Sequence, residues 1–249
     1  MKNIIILFFW LIGSLGHSQD NLQFDQANSL YNNGKYEAAI SAYENILENN
    51  LHSSALYFNM ANCYYKLNKT GPSIYYYEKA LKLAPNDKDI QNNLSFARQM
   101  TIDQFDTIPE LETSTFYKKT AQIFSLNGWA IFCILLMCVC VGFFIAYFLS
   151  YNTKTKRFFF IMGVISVLIL IISFVLLNKK IDLDNERYGI IYPQEINVKT
   201  EPNLRSETAF VLHEGTKVQI IESFQSSWLK IKLINGNIGW ISKNALKEF

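Results

Sequence analysis

Ala27–Leu47 reads ANSLYNNGKYEAAISAYENIL, and Ala61–Leu81, 34 residues further on, reads ANCYYKLNKTGPSIYYYEKAL. Overlaid, Ala27 falls on Ala61, Leu30 on Tyr64, Ile40 on Ile74, Tyr43 on Tyr77 and Leu47 on Leu81. A fixed period of this length marks stacked supersecondary units, each too small to bury its own apolar face. In the second copy Ile74, Tyr77 and Leu81 lie at i, i+3 and i+7, one face of a helix. Tyr77 is therefore expected in the core, while Tyr75 and Tyr76 point elsewhere and are expected to be at least partly exposed. Two copies leave the stack open, and NDKDIQNNLSFARQM (Asn86–Met100) supplies a closing helix. Its Ile90, Leu94 and Ala97 have helical spacing, Asn86 or Asp87 can cap it, and Lys88, Gln91, Asn92 and Gln99 form a solubilising outer face.

The period and pattern resemble the tetratricopeptide repeat, a helix-turn-helix unit. Gly34, Tyr36, Ala39 and Tyr43 occupy its signature positions in the first copy (about 20–53), as do Tyr57, Ala61, Tyr64, Tyr77, Ala80 and Pro85 in the second (about 54–87). Asn68 replaces the usual turn glycine, and TGPS (70–73) is expected to move the break three residues on. The resemblance implies an all-α domain over 19–110, with its last helix at 87–100. It also implies a partner-binding groove lined by Phe24, Asn28, Tyr31, Phe58, Asn59, Asn62, Tyr65 and Lys66, suited to an extended or helical peptide. Some relatives clamp a terminal carboxylate between two asparagines and flanking basic residues. Asn28 and Asn59 match the asparagines, but Phe24 and Asp89 stand where basic residues would be expected, which argues against such a clamp. Nucleic acid is excluded on charge: residues 19–110 hold seven Lys/Arg against eleven Asp/Glu, whereas a base-stacking platform wants basic residues among its aromatics.

The chain as a whole has 249 residues, is 50% hydrophobic and carries 18% charged residues, a poor match for one soluble domain. The excess sits in blocks. MKNIIILFFWLIGSLGHSQDN begins with Lys2, a nine-residue apolar run (Ile4–Ile12) and small residues, the order of a secretory signal peptide cleaved near Ser18. Trp129–Leu149 and Phe158–Leu177 contain no charge and reach about 30 Å as helices, enough to cross a bilayer. Segments 111–128 and 178–187 read as linkers, and 150–157, with Lys154, Lys156 and Arg157, as a tight cytoplasmic loop. Lys118, Lys119, Lys179 and Lys180 make the opposite side equally basic, so the exported N-terminus decides orientation. Both soluble parts are then expected on the periplasmic face of the inner membrane.

Residues 188–249 alternate in short bursts separated by turns, with Asn235–Gly236–Asn237 as a tight hairpin signal, and five or so strands are expected to form a small barrel. INVKTEP, EGTKVQII, SSWLKIKL and GNIGWISKNAL resemble a bacterial SH3 domain. Trp228 and Trp240 match fold-defining aromatics of that family, with Gly239 permitting a close turn beside Trp240; alternatively an indole edge lines a shallow ligand groove. Some relatives bind cell-wall peptides.

No catalytic signature accompanies these modules. The four cysteines form no framework: Cys133, Cys138 and Cys140 share one apolar helix and Cys63 stands alone in the repeats. His17, His52 and His213 have no metal-ligand spacing, no cofactor motif is present, and Asp103, Asp106 and Glu110 read as a solvated connector. The full order (signal, repeats, TIDQFDTIPE, two-span hairpin, SH3-type barrel) resembles the BatE-like proteins of the Bacteroidetes Bat aerotolerance group. That resemblance implies a multidomain inner-membrane scaffold, not an enzyme, working with other Bat membrane proteins, some with von Willebrand-type domains, and with a MoxR-type ATPase. Three function classes follow: a protein adaptor, a module contacting peptidoglycan, and, with least support, an enzyme.

Overall fold

The computed structural model describes residues 22–105 and 112–249. The signal-like segment 1–18, Asp106 and Glu110 lie outside them. The chain divides into two compact units, one made of residues up to Thr107 together with Arg187–Phe249, the other of Ile108–Glu186.

Among the described residues, the first unit has five helices before its strands: α1 (22–32), α2 (Tyr36–Glu48), α3 (Ser54–Lys66), α4 (Thr70–Leu83) and α5 (Lys88–Gln99). They form two helix pairs and the closing helix. The α1–α2 turn places Gly34 at φ 75°, a left-handed conformation that glycine adopts without steric cost. Asn68 takes φ 56° at the equivalent turn, as asparagine can. The break is not displaced: α4 starts at Thr70, and TGPS is its first turn, where Pro72 lacks only an N–H that has no helical partner. Ser53 and Asp87 cap α3 and α5 through their side chains. Ala27, Ala39, Tyr43, Leu56, Met60, Ile74, Tyr77, Ala80, Ile90 and Leu94 fill the core between the helices.

Seven strands follow in the same unit, more than the five or so expected: β1 (Arg187–Ile191), β2 (Glu195–Lys199), β3 (Thr208–His213), β4 (Lys217–Phe224), β5 (Trp228–Lys232), β6 (Ile238–Ser242) and β7 (Leu246–Glu248). They pair antiparallel in the order β3-β2-β6-β5-β4-β1-β7. The β5–β6 hairpin closes at Asn235–Gly236–Asn237, with Gly236 at φ 85°. Ile191, Val198, Leu212, Val218, Leu229, Ile231 and Ile241 form its buried side. Gly239 lies within β6 rather than at a turn. A Cβ there would meet Val198 Cγ1 at 2.4 Å, so glycine is what lets β6 approach β2.

The second unit holds α6 (Glu112–Ala121), α7 (Leu126–Leu149) and α8 (Thr153–Asn185). Part of the expected 111–128 linker is thus α6, and the helix begun before Phe158 continues through the polar stretch to Asn185. Both α7 and α8 are long and apolar enough to cross a membrane. The indole N–H of Trp129 donates to the Ala121 carbonyl at 2.9 Å, and Trp129, Ala121 and Leu176 bury one another.

Candidate interaction surfaces

Asn28, Asn59 and Asn62, three of the expected groove residues, join a ladder that repeats with the sequence. The Tyr43 hydroxyl donates to Asn28 Oδ1 at 2.6 Å, and Asn59 Nδ2 donates to the same oxygen at 2.8 Å. One repeat later the Tyr77 hydroxyl and Asn93 Nδ2, the latter at 3.1 Å, both donate to Asn62 Oδ1. Each oxygen thus serves two donors inside the protein, which holds the amide in one orientation. Phe24 and Phe58 pack beside the rungs, 5.9 Å from the rings of Tyr43 and Tyr77 respectively. Phe24, Asn28, Tyr31, Phe58, Asn59, Asn62 and Tyr65 are all half-buried, and Lys66 is exposed. Burial, assisted by the nearby Cys63 thiol, drives the Tyr43 hydroxyl well above its ordinary pKa, so it stays a proton donor. Burial also pushes the Cys63 thiol up to about 12, which makes that cysteine an inert small apolar residue. Asn93, in the closing helix, was not among the expected groove residues, although its spacing from Asn59 equals the repeat period.

Trp228 and Trp240 stand on the outer side of the sheet. The alternation along β5 and β6 buries Leu229, Ile231 and Ile241 and turns the two indoles the other way. Among the described residues, neither indole belongs to a buried core cluster. Trp240 pairs across the strands with Lys199 on one side and Lys230 on the other, and the Lys230 ammonium lies 5.5 Å from its ring. Phe224, opposite Trp228 in the β4–β5 pair, meets Trp240 edge to face at 6.1 Å. The outer sheet therefore carries three aromatics with two lysines among them, and Phe224 and Lys230 were not anticipated.

A third surface joins the repeats to the strands, and it overturns two expectations. Tyr75 and Tyr76 are buried, 6% and 7% exposed, because α4 is covered on more than one side. Tyr76 stacks flat on Tyr64 at 5.5 Å, while Tyr75 meets Tyr192 and Phe249 edge-on at 6.0 and 6.2 Å. Asp103 is no solvated connector: 9% exposed, it accepts bonds from the His213 backbone N–H at 2.7 Å, from His213 Nδ1 at 2.7 Å and from the Thr216 hydroxyl. Its burial alone would raise the carboxyl pKa, but the Thr216 and His213 bonds and the imidazole's charge outweigh that and hold it below its ordinary value. Glu78, 4% exposed, is held by Arg98 of α5 and by Lys217 of β4, the latter at 2.8 Å.

Among the described residues no cluster of three His, Cys, Asp or Glu could hold a metal ion. Residues 24–88 match the family model of the tetratricopeptide repeat, and residues 195–247 match that of the bacterial SH3 domain. Over 53 residues, 21% of the chain, the sequence is 32% identical to the cell wall-binding protein YwsB of Bacillus subtilis (strain 168). That match spans 30% of the length of YwsB. The chain thus carries both modules, together with two candidate membrane helices.

Proposed function

We propose that the protein is an inner-membrane adaptor that holds protein partners in its repeat groove on the periplasmic side, within a Bat-type envelope complex. The observation behind the binding role is the two-rung ladder. Its amides are fixed by internal bonds, and its flanking rings (Phe24, Tyr31, Phe58 and Tyr65) stay half open to solvent. Fixed amides with aromatic surface beside them suit an extended peptide, whose backbone needs hydrogen bonds and whose side chains need apolar contact. The Bat assignment, with its von Willebrand-domain and MoxR-type ATPase partners, rests on the resemblance of domain order and of the TIDQFDTIPE wording. Tyr31→Ala with Tyr65→Ala removes ring surface without touching a rung. In the full-length protein it is expected to lower recovery of co-purifying membrane proteins at least about tenfold, the loss of one modest anchor of roughly 1.4 kcal/mol. Undiminished recovery would refute the groove.

Orientation is tested separately. Periplasm-active reporters joined after Met100 or Phe249 are expected to work, and one placed within Tyr151–Thr155 is expected to stay silent. An active reporter in that loop would put both modules in the cytoplasm.

A second reading has its own support. The identity to a cell wall-binding protein and the outward Trp228, Trp240 and Phe224 favour peptidoglycan contact by the SH3 domain. Sedimentation of the full-length protein with purified sacculi, compared between wild type and Trp240→Ala, tests it; equal sedimentation would remove the reading.

A further inference from the structure

Two glycines mark where the repeats meet the SH3 domain. A Cβ at Gly71, in the first turn of α4, would lie 2.9 Å from Glu214 Cγ and 3.1 Å from the Ile191 carbonyl oxygen. One at Gly215 (φ 89°) would lie 2.8 Å from Thr101 Cγ2, 2.9 Å from Thr70 Cγ2 and 3.1 Å from Ile74 Cδ1. The Gly-Pro pair that reads as a helix break is thus a place where another part of the chain comes close. The Gly71 N–H donates to Glu214 Oε1 at 2.8 Å, so an orphan donor of the α4 N-terminus is satisfied from 143 residues away.

Around these glycines two carboxylates that burial would penalise find partners across the contact. Asp103 is satisfied by His213 and Thr216, and Glu78 is bound by Lys217 as well as by Arg98. Lys217 also lies over the rings of Tyr188 and Phe249 at 4.8 and 5.2 Å. Ile190 is buried within the core of the repeats, and Phe105 packs against the core of the SH3 domain. Separated, each side would bare aromatic surface and strand carboxylates that the other side satisfies.

The two sides are consecutive in space but not in sequence, since α7 and α8 lie between them. We propose that this contact is a latch that closes only when the repeats and the SH3 domain have reached the same side of the membrane, making it a check built into the chain on correct insertion of both spans. The step to the membrane rests on the two-span reading above; the latch itself does not. With both helices inserted, an even number of crossings delivers the halves to one face. With one crossing they are separated, and Tyr75, Tyr192 and Phe249 stay uncovered, a surface open to quality-control proteases.

The test uses Gly71→Cys with Glu214→Cys in the full-length chain, with Cys63, Cys133, Cys138 and Cys140 changed to Ala. Oxidation in membranes is expected to yield an intramolecular disulfide in most molecules, detected as a monomer of increased mobility. Deleting Phe158–Leu177 is expected to abolish it, and replacing 108–186 by a flexible linker is expected to restore it. Absence of the disulfide in the intact chain overturns the latch. Its presence in both the intact and the single-span chains leaves the contact standing and overturns the dependence on membrane insertion.

Discussion

Tyr75 and Tyr77 are two residues apart on one helix and belong to different parts of the protein. Tyr77 faces the neighbouring helix α3, where its hydroxyl donates to Asn62 and its ring packs beside Phe58. Tyr75 faces the SH3 domain, where its ring meets Tyr192 and Phe249. That side is built from residues that recur at the repeat period, so each helix pair supplies the same chemistry in the same place. The SH3 side uses residues such as Gly71, Tyr75 and Asp103 that have no counterpart in the first repeat. A face made by repetition is legible from one sequence, whereas a face made by a distant contact is recorded only in residues that look out of place.

The strongest way to break that comparison is to truncate both sides of α4. Tyr77→Ala removes a ring that is 1% exposed, leaves Asn62 without one of its donors and is expected to cost about 3–5 kcal/mol. Tyr76→Ala, which loses the stack on Tyr64, is expected to cost about 2–3 kcal/mol, well beyond the small cost of an exposed position. Denaturant unfolding of the full-length protein in micelles measures both. A Tyr76→Ala loss below about 1 kcal/mol would return that residue to the surface.

Much of the architecture was open to a reader of the sequence for reasons of period. The 34-residue repeat placed the helix pairs, two charge-free stretches marked the long apolar helices, and alternation with Asn235–Gly236–Asn237 marked the strands. Asn28, Asn59 and Asn62 were named because the resemblance to the tetratricopeptide repeat implies a groove lined by the first helix of each pair. Two of the failures share one cause, which is dependence on a partner more than a hundred residues away. Asp103 read as a solvated acid because nothing local binds it; His213 and Thr216, 110 and 113 positions on, do. Gly71–Pro72 read as a displaced turn because a close approach by Glu214 leaves no mark except the glycine itself.

Asp103 gives a pH test of the same contrast. Its carboxyl is held below the ordinary 3.8 in the folded protein, so the stability it contributes is fully present above that value and lost as pH falls through the lower, folded-state value. The titratable groups facing it are His213, bonded at 2.7 Å, and beyond it Glu195, whose carboxylate is 4.0 Å from His213 Nε2. Asp103→Asn keeps the shape and removes the charge. It is expected to lower stability by about 1–3 kcal/mol at neutral pH, the cost of weakening buried hydrogen bonds to a charged group. The gap between variant and wild type should then close as the pH is taken below about 4, since the protonated wild type resembles the amide. A gap constant from pH 7 to pH 3 would mean that the carboxylate's charge plays no part in holding Thr216 and His213.

The smallest expected effect on stability concerns the two indoles, and it separates their two readings. A tryptophan that defines a fold is enclosed by the core, and its removal costs about 3–5 kcal/mol. Trp228 and Trp240 instead alternate out of phase with Leu229, Ile231 and Ile241, and what they touch is Phe224 and Lys230 on the same outer face. Contacts of that kind contribute little each: about 0.2–1 kcal/mol for a cross-strand pair and about 0.5–1 kcal/mol for an exposed cation over a ring. Trp240→Ala is therefore expected to cost about 1–2 kcal/mol and Trp228→Ala about 1 kcal/mol, whereas Ile231→Ala, fully buried at 0% exposure, should cost about 2–5 kcal/mol. Side-by-side unfolding of the three variants decides the matter. Indole losses as large as the isoleucine loss would make both tryptophans part of the fold and leave the outer sheet without an anchor. Small indole losses accompanied by reduced sedimentation with sacculi would make the same two residues a binding surface that the folding of the domain does not need.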